Sequence, residues 1–186
     1  GSTAVTVTGL TGDVVASGLT GTLSGTLSIF AGDNTTDQNI SITTGSAATS
    51  ITANGAGDVI LTNATALADN TTLTLIGSAA ETVTGLVGDI VASDLTGTLS
   101  VTTGAVTGLS IATGRGANTI NAGALTNAQL LTLTGSTAAT ITLTNGSLAA
   151  SAYTGNLTVT ATTGSHVIAT GSGNDIITGG AGADII

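Results

Sequence analysis

Apolar residues and glycines both recur at nine-residue intervals along the last part of the chain. The apolar series is Ile141, Ala150, Val159, Ile168, Ile177 and Ile186, and the glycine series is Gly146, Gly155, Gly164, Gly173 and Gly182. A nine-residue unit holds one short strand and one turn, and two such units close a coil of about 18 residues. The pattern therefore predicts an all-β fold, a parallel β-solenoid (β-helix or β-roll), with aliphatic side chains stacked in columns inside the coils.

Segments rich in Thr, Val and Ile are spread along the whole chain and favour strands. Several of them alternate polar and apolar residues, as half-buried strands do. The predicted strands are Thr3–Thr8, Val59–Thr62, Thr71–Leu75, Thr82–Thr84, Leu131–Thr134, Thr140–Thr144 and Leu157–Thr162. At Ala64–Asn70 and Ala122–Gln129, where a helical turn is conceivable, we expect loops or single turns.

The chain consists of three related modules, which are residues 1–76, 77–134 and 135–186. Each module begins with Gly-Ser followed by a Thr-rich segment, so we predict one continuous solenoid. The first module exceeds the second by 18 residues (76 minus 58), located near Gly25–Ser41, and this length predicts one inserted coil. Because the sequence starts at a module boundary and stops inside a motif, we expect it to belong to a longer repetitive protein.

Composition and charge restrict the fold and the partners further. The chain contains 28 Gly, one Tyr, one Phe and no Pro, Cys, Met or Trp, which suits a narrow aliphatic core better than a wide one. The formal net charge is -9, and Arg115 is the one Lys or Arg residue. This balance excludes a phosphate-binding surface, so nucleic acid and anionic lipid are poor partners. Polar residues interrupt every apolar run, and we therefore expect no membrane insertion.

The end of the chain carries a tandem motif. The segment Thr170–Thr178 fits G-G-x-G-x-D-x-U-x, where U is a large apolar residue, except that Thr170 replaces the first glycine. A second copy begins at Gly179 and runs to Ile186. Nonapeptides of this kind build calcium-binding parallel β-helices. The glycines allow turn conformations that other residues avoid, the aspartate supplies a hard oxygen ligand, and U points into the core.

These motifs resemble the RTX (repeats-in-toxin, hemolysin-type) calcium repeats of secreted Gram-negative proteins, over about residues 161–186. The resemblance implies that Ca²⁺ lies between turns of successive coils, held by motif aspartates and by carbonyl groups of the glycine-rich turns. The implied ligand positions are Gly171, Gly173, Asp175, Gly180, Gly182 and Asp184. One coil of about 18 residues back, Asp175 faces Leu157 and Asp184 faces His166. We therefore expect half-sites, which sequence beyond Ile186 would complete.

Three weaker candidates for cation binding lie in the first module. Asp58 belongs to a shortened version of the motif, and Asp33 and Asp37 flank a small polar loop with oxygen ligands close together. Aspartate is also an ordinary turn residue, so a metal-free turn is the alternative at each of these positions.

The second module contains a related segment without the charged ligand. Gly114–Ile120 aligns with Gly171–Ile177, and Asn118 stands where the motif has aspartate. We interpret this segment as a decayed motif.

Catalysis has little support in the sequence. His166 is the single histidine. A catalytic role for His166 and Asp184 as a pair would require a nucleophile that this pair activates. The neighbouring Ser165 and Ser172 do not form such a pattern, so we expect His166 to be an exposed turn residue. Enzymes with a right-handed β-helix fold place basic residues and aromatic platforms beside carboxylates, which this composition lacks. We therefore predict that the chain is not an enzyme.

The leading interpretation is a structural segment of a secreted, calcium-dependent bacterial cell-surface protein of the surface-layer (S-layer) or RTX adhesin type, located outside the cell. Stacked coils expose strand edges at their ends, so the expected partners are a continuing chain or further copies, with cell-surface polysaccharide as another candidate. One alternative is a calcium-binding scaffold or secretion segment of a larger RTX toxin or enzyme.

A second alternative is an ice-binding Thr-rich β-solenoid. Such a protein would present outward threonines in a flat ladder at constant coil spacing. The pairs Thr6/Thr8, Thr82/Thr84 and Thr140/Thr142 occur once per module. This spacing predicts a ladder too sparse to cover a face.

Overall fold

In the computed structural model, the described residues are 5–10, 14–15, 27–31, 39–55 and 58–186. They form two parallel β-sheets and no helix. Consecutive strands alternate between the two sheets, so the backbone winds around a narrow core in coils of roughly 20 residues. This part of the chain is an all-β parallel β-solenoid, which confirms the predicted fold class.

The two sheets are named here by the numbering of their strands. The odd sheet contains β1 (Val5–Leu10), β3 (Leu27–Ala31), β5 (Thr49–Ala53), β7 (Thr72–Gly77), β9 (Asp89–Leu95), β11 (Leu109–Ala112), β13 (Leu130–Thr134), β15 (Ser147–Ala149) and β17 (Ile168–Ala169). The even sheet contains β2 (Val14–Val15), β4 (Asn39–Thr43), β6 (Val59–Asn63), β8 (Ala80–Leu86), β10 (Leu99–Thr103), β12 (Asn118–Ala122), β14 (Ala139–Leu143), β16 (Leu157–Ala161) and β18 (Ile176–Thr178).

Alternation of side chains along each strand separates the core from the surface. In β16, Leu157, Val159 and Ala161 are buried, whereas the two intervening threonines are exposed. Val159 pairs in register with Ile141 on one side and with Ile177 on the other. The predicted column of aliphatic residues in the even sheet is therefore confirmed. Burial of one such side chain contributes about 1.5–3 kcal/mol.

Coil length varies more than the nine-residue pattern predicts. Leu131 pairs with Leu148, seventeen positions away, whereas Val14 pairs with Ile42, twenty-eight positions away. The predicted stacking of Ala150 on Ile168 is wrong, because Ile168 pairs with Leu148. The uniform coil of about 18 residues therefore holds only in parts of the solenoid.

The extra length of the first module is not one inserted coil. Its first strand, β1, lies in the odd sheet, whereas the strands that repeat it, β8 and β14, both lie in the even sheet. Three and a half coils therefore separate β1 from β8, and three separate β8 from β14. The additional residues of the first module therefore form an extra half-coil and also lengthen its coils relative to those of the second module. Part of the segment Gly25–Ser41 lies outside the described residues.

The two segments expected to be loops or single turns are turns. The N–H of Leu67 donates to the carbonyl of Ala64, and the N–H of Leu125 donates to the carbonyl of Ala122. Leu67 and Leu125 are buried, so each turn adds one leucine to the core.

Candidate calcium-binding turns

Asp175 and Asp184 each link a turn to the coil before it. Oδ1 of Asp175 accepts a hydrogen bond from the backbone N–H of Leu157 at 2.8 Å. Oδ1 of Asp184 accepts one from the backbone N–H of His166 at 3.0 Å. Both bonds span eighteen positions, as the motif predicts. Each aspartate is half-buried at a contact between coils.

The motif glycines lie against carbonyl groups of the preceding coil. A Cβ at Gly171 would stand 1.7 Å from the carbonyl oxygen of Tyr153, and one at Gly173 would stand 2.2 Å from that of Gly155. Gly182 has a φ of +131°, and a Cβ there would stand 1.9 Å from the carbonyl oxygen of Gly164. Gly180 has a φ of +80°. Side chains are therefore excluded from these turns, which brings backbone oxygens close to the motif.

The donor set of each turn fits part of a calcium shell. Ca²⁺ takes six to eight oxygen ligands, with carboxylates and backbone carbonyls among them. Asp175 precedes a strand of the even sheet and Asp184 precedes the bridge between Val167 and Ile185 on the other side of the coil, so each turn contains one motif carboxylate. Within the described residues, no group of three or more His, Cys, Asp and Glu side chains is placed to hold a metal ion. Each turn thus contains one carboxylate with carbonyl oxygens nearby, which are ligand types that Ca²⁺ accepts.

Of the weaker candidates, Asp58 is buried. Its N–H donates to the carbonyl of Gly55 at 3.3 Å, and a Cβ at Gly55 would stand 1.8 Å from its Oδ2. A side chain at position 55 would therefore require this carboxylate to move. Asp33 and Asp37 lie outside the described residues.

Asn118 occupies the position that the sequence alignment assigns to the motif aspartate. It is 3 % exposed and pairs with Leu99 and with Ala139, which in turn pairs with Leu157. Leu157 is the residue whose N–H binds Asp175, so Asn118 and Asp175 stand in the same column of the even sheet.

The side-chain nitrogen of Asn118 is surrounded by oxygen atoms. The contacts of Nδ2 are to the carbonyl oxygens of Gly116 at 2.9 Å, Gly114 at 3.3 Å and Ala138 at 3.5 Å, and to Oγ1 of Thr137 at 2.9 Å. Its Oδ1 accepts the N–H of Gly114 at 3.2 Å. An amide NH₂ group therefore fills an oxygen-lined space in this turn.

His166 is not the exposed turn residue that the sequence predicts. It is 1 % exposed, and its Nδ1 lies 2.7 Å from the carbonyl oxygen of Gly146, which identifies Nδ1 as the donor. The contact with Asp184 runs through the backbone N–H of His166 and leaves Nε2 without a partner. The ring thus fills a corner of the core.

Arg115 lies on the surface of the solenoid. Its guanidinium lies 3.6 Å from the carboxylate of Asp94, and both side chains are 68 % exposed. Nε of Arg115 also donates to the carbonyl of Ser93.

Glu81 is a buried acid that sequence reasoning missed. It is 1 % exposed, and neither of its carboxylate oxygens has a hydrogen-bond partner. Burial raises the pKa of this carboxyl group well above its ordinary value. Alternation with the inward-facing Val83 was the available signal, but the predicted strand began at Thr82, two residues after the observed start at Ala80.

Comparison of the chain with protein-family models, with curated proteins and with solved structures finds no match. Among the described residues, no helix is long and apolar enough to cross a membrane.

Proposed function

We propose that this chain is a structural segment of a secreted, calcium-dependent bacterial cell-surface protein of the S-layer or RTX adhesin type. The observation that carries the proposal is the pair of hydrogen bonds from Asp175 and Asp184 to the preceding coil. A cation bound at these turns would join the coils at the places where the carboxylates already join them.

Charge supports a requirement for cations. The chain has a formal net charge of -9 and a single Lys or Arg residue, so acidic groups repel one another in the compact state. A cation beside Asp175 or Asp184 reduces that repulsion and adds bonds between coils. Calcium-rich surroundings outside the cell would then favour the folded solenoid.

A non-catalytic role agrees with the environment of the groups that could act in chemistry. His166 is enclosed in the core with Nδ1 engaged by a carbonyl group. Arg115 is exposed on the surface and paired with Asp94. We therefore propose a scaffold whose partners are adjoining coils, further copies or cell-surface polysaccharide.

Calcium should raise the melting temperature of the chain if the turns bind it. Calcium at one hundred times its Kd stabilises a folded protein by about 2.7 kcal/mol, which corresponds to roughly 5–10 °C in a chain of this length. Asp175→Asn keeps an oxygen that can accept the N–H of Leu157 but removes the negative charge. We expect this variant to be as stable as the unaltered chain without calcium, and to lose part of the calcium-dependent increase in melting temperature. The double variant Asp175→Asn, Asp184→Asn should lose nearly all of that increase.

Asp94→Asn is the matched control, because Asp94 is an exposed aspartate outside the motif turns. It should respond to calcium like the unaltered chain in thermal unfolding followed by circular dichroism. An unaltered chain that melts at the same temperature with millimolar calcium and with chelator would contradict the calcium proposal. The calcium proposal would also be contradicted if Asp94→Asn and Asp175→Asn reduced the calcium-dependent increase in melting temperature equally.

A further inference from the structure

The outward face of the even sheet carries two parallel columns of hydroxyl and amide side chains. One column consists of Thr82, Ser100, Thr119, Thr140 and Thr158, followed by Ile176. The other consists of Thr102, Asn121, Thr142, Thr160 and Thr178. We call these two columns the hydroxyl face. Nearly every coil from β10 onward contributes one residue of this kind to each column, so the expectation of a sparse ladder is wrong.

This ladder is not evident from the sequence because the coils differ in length. Ser100 and Thr119 are nineteen positions apart, Thr119 and Thr140 twenty-one, and Thr140 and Thr158 eighteen, yet each pair is in register. No bulge interrupts the pairing from β10 to β18. Irregular spacing along the chain thus becomes a regular array in space.

The array has two repeat distances that follow from sheet geometry. Neighbouring strands lie about 4.8 Å apart, and alternate residues along one strand lie roughly 6.6 Å apart. Threonine is β-branched, so its χ1 angle is restricted and its hydroxyl and methyl groups keep defined directions. The stacked coils beneath hold the array in place before any ligand arrives, which removes an ordering cost from binding.

The hydroxyl groups of this face are not used inside the protein. Within the described part of the chain, the side-chain hydroxyls of the threonines and the serine of the two columns form no hydrogen bond to protein. Threonines at the coil corners behave differently. Thr96 donates to the carbonyl of Gly77 and Thr163 to that of Thr144, both at 3.1 Å. Unused donors and acceptors are therefore concentrated on one face.

The side chains of the hydroxyl face limit the kinds of partner that it can bind. Neither column contains a charged residue or an aromatic ring, which argues against an ionic ligand and against stacking on sugar rings. The apolar area is small, with Ile176 as its one large side chain, so a second copy of the chain would gain little by covering it. The outward face of the odd sheet differs, since it contains carboxylates at Asp89 and Asp94 and a bulge between Thr74 and Ile76.

We propose that the hydroxyl face binds ice. An extended, uncharged and evenly spaced set of hydroxyl groups can hydrogen-bond to many water molecules of a crystal surface at once, and each group is both a donor and an acceptor. Individual contacts are weak, and their number on one rigid surface makes the binding strong. This activity is separate from the calcium-dependent scaffold, because the face is built from strand residues and not from the motif turns.

The test measures the partition of the 186-residue chain into slowly growing ice, together with thermal hysteresis. Thr140→Lys places a long charged side chain in the middle of the hydroxyl face, and we expect it to reduce partition several-fold. Thr132→Lys is the matched control, because Thr132 is also an exposed threonine but lies on β13, which belongs to the odd sheet. It should partition like the unaltered chain, and circular dichroism checks that both variants fold.

Thr160→Lys on β16 repeats the test in the second column and replaces Thr140→Lys if that variant misfolds. The proposal is overturned if the unaltered chain enters ice no more than an inert protein of similar size. Equal effects of Thr140→Lys and Thr132→Lys would overturn it too. If the chain does not enter ice, two other results would also overturn the proposal. One is binding to insoluble cellulose or chitin, and the other is self-association that Thr140→Lys abolishes.

Discussion

Glu81 places a carboxyl group inside the solenoid, where the neighbouring coils supply Ile60 on one side and Leu99 on the other. Both carboxylate oxygens lack a hydrogen-bond partner, and burial raises the pKa of the group well above its ordinary value. A charge at this position would lie between two aliphatic side chains. Burial therefore favours the neutral, protonated form of Glu81 in the folded state.

Stability should fall as pH rises because of this one residue. In the unfolded chain, glutamate loses its proton near its ordinary pKa of about 4.3, whereas burial raises the pKa in the folded chain, which retains the proton to a higher pH. The folded state thus binds more protons between the two pKa values, and the free energy of unfolding decreases with pH across that window. Glu81→Gln should abolish this part of the pH dependence in denaturant unfolding measured from about pH 4 to about pH 9.

Glu81→Leu should stabilise the chain at neutral pH, since it replaces an unpaired polar group with an apolar one of similar size. A gain of about 1–3 kcal/mol is expected from the cost of an unsatisfied buried polar group. Glu81→Gln keeps such a group and should gain less. A variant with glutamine that retains the full pH slope of the unaltered chain would show that other acids produce the slope.

At the scale of single elements, the amide of Asn118 lies in the turn before β12, at the position where the proposed calcium motif has aspartate. The nitrogen carries a partial positive charge and two hydrogens, and four oxygen atoms surround it. The carboxylate of an aspartate at this position would instead face those oxygens with a negative charge. We infer that Asn118 closes this turn without a metal ion.

Asn118→Asp should therefore destabilise the chain in the absence of calcium by about 1–3 kcal/mol, the cost of unpaired buried polar groups. Calcium should restore part of this loss, because the added charge and the existing oxygens form the donor set that the ion prefers. Asn118→Ala should lose a similar amount and gain nothing from calcium at this turn. Thermal unfolding of the three chains with calcium and with chelator measures these differences, and an Asn118→Asp chain as stable as the original without calcium would contradict the inference.

The fold class and the links between motif turns could be predicted because they depend on short-range periodicity. Two nonapeptides in tandem bring Asp175 to Leu157 and Asp184 to His166, and the structure contains both contacts. Coil length could not be predicted, since a turn can lengthen by several residues while the strands on either side still stack. For that reason the pairing of Ile168 with Leu148 and the completeness of the hydroxyl face were missed.

At the scale of the whole molecule, the solenoid is held together by neighbours only. Each strand inside a sheet pairs with the strands one coil before and one coil after it, so stability is close to a sum over adjacent coils. Strands β12 and β14 have a neighbour on both sides, whereas β18 pairs with β16 alone in this chain. Ile176 in β18 is 66 % exposed, and its coil buries less apolar area than the central coils do.

Hydrogen exchange should therefore differ along the chain in a graded way. Amides of β12 and β14 should exchange more slowly than those of β17 and β18, because opening of the last coil breaks contacts with a single neighbour. Calcium should slow exchange in β17 and β18, since Asp175 and Asp184 join that coil to the one before it, and should leave β12 nearly unchanged. Mass spectrometry of peptides from labelled protein resolves these segments, and the double variant Asp175→Asn, Asp184→Asn is the control that should not respond. A uniform effect of calcium over all segments would mean that the ion acts by general screening of the net charge and not at the motif turns.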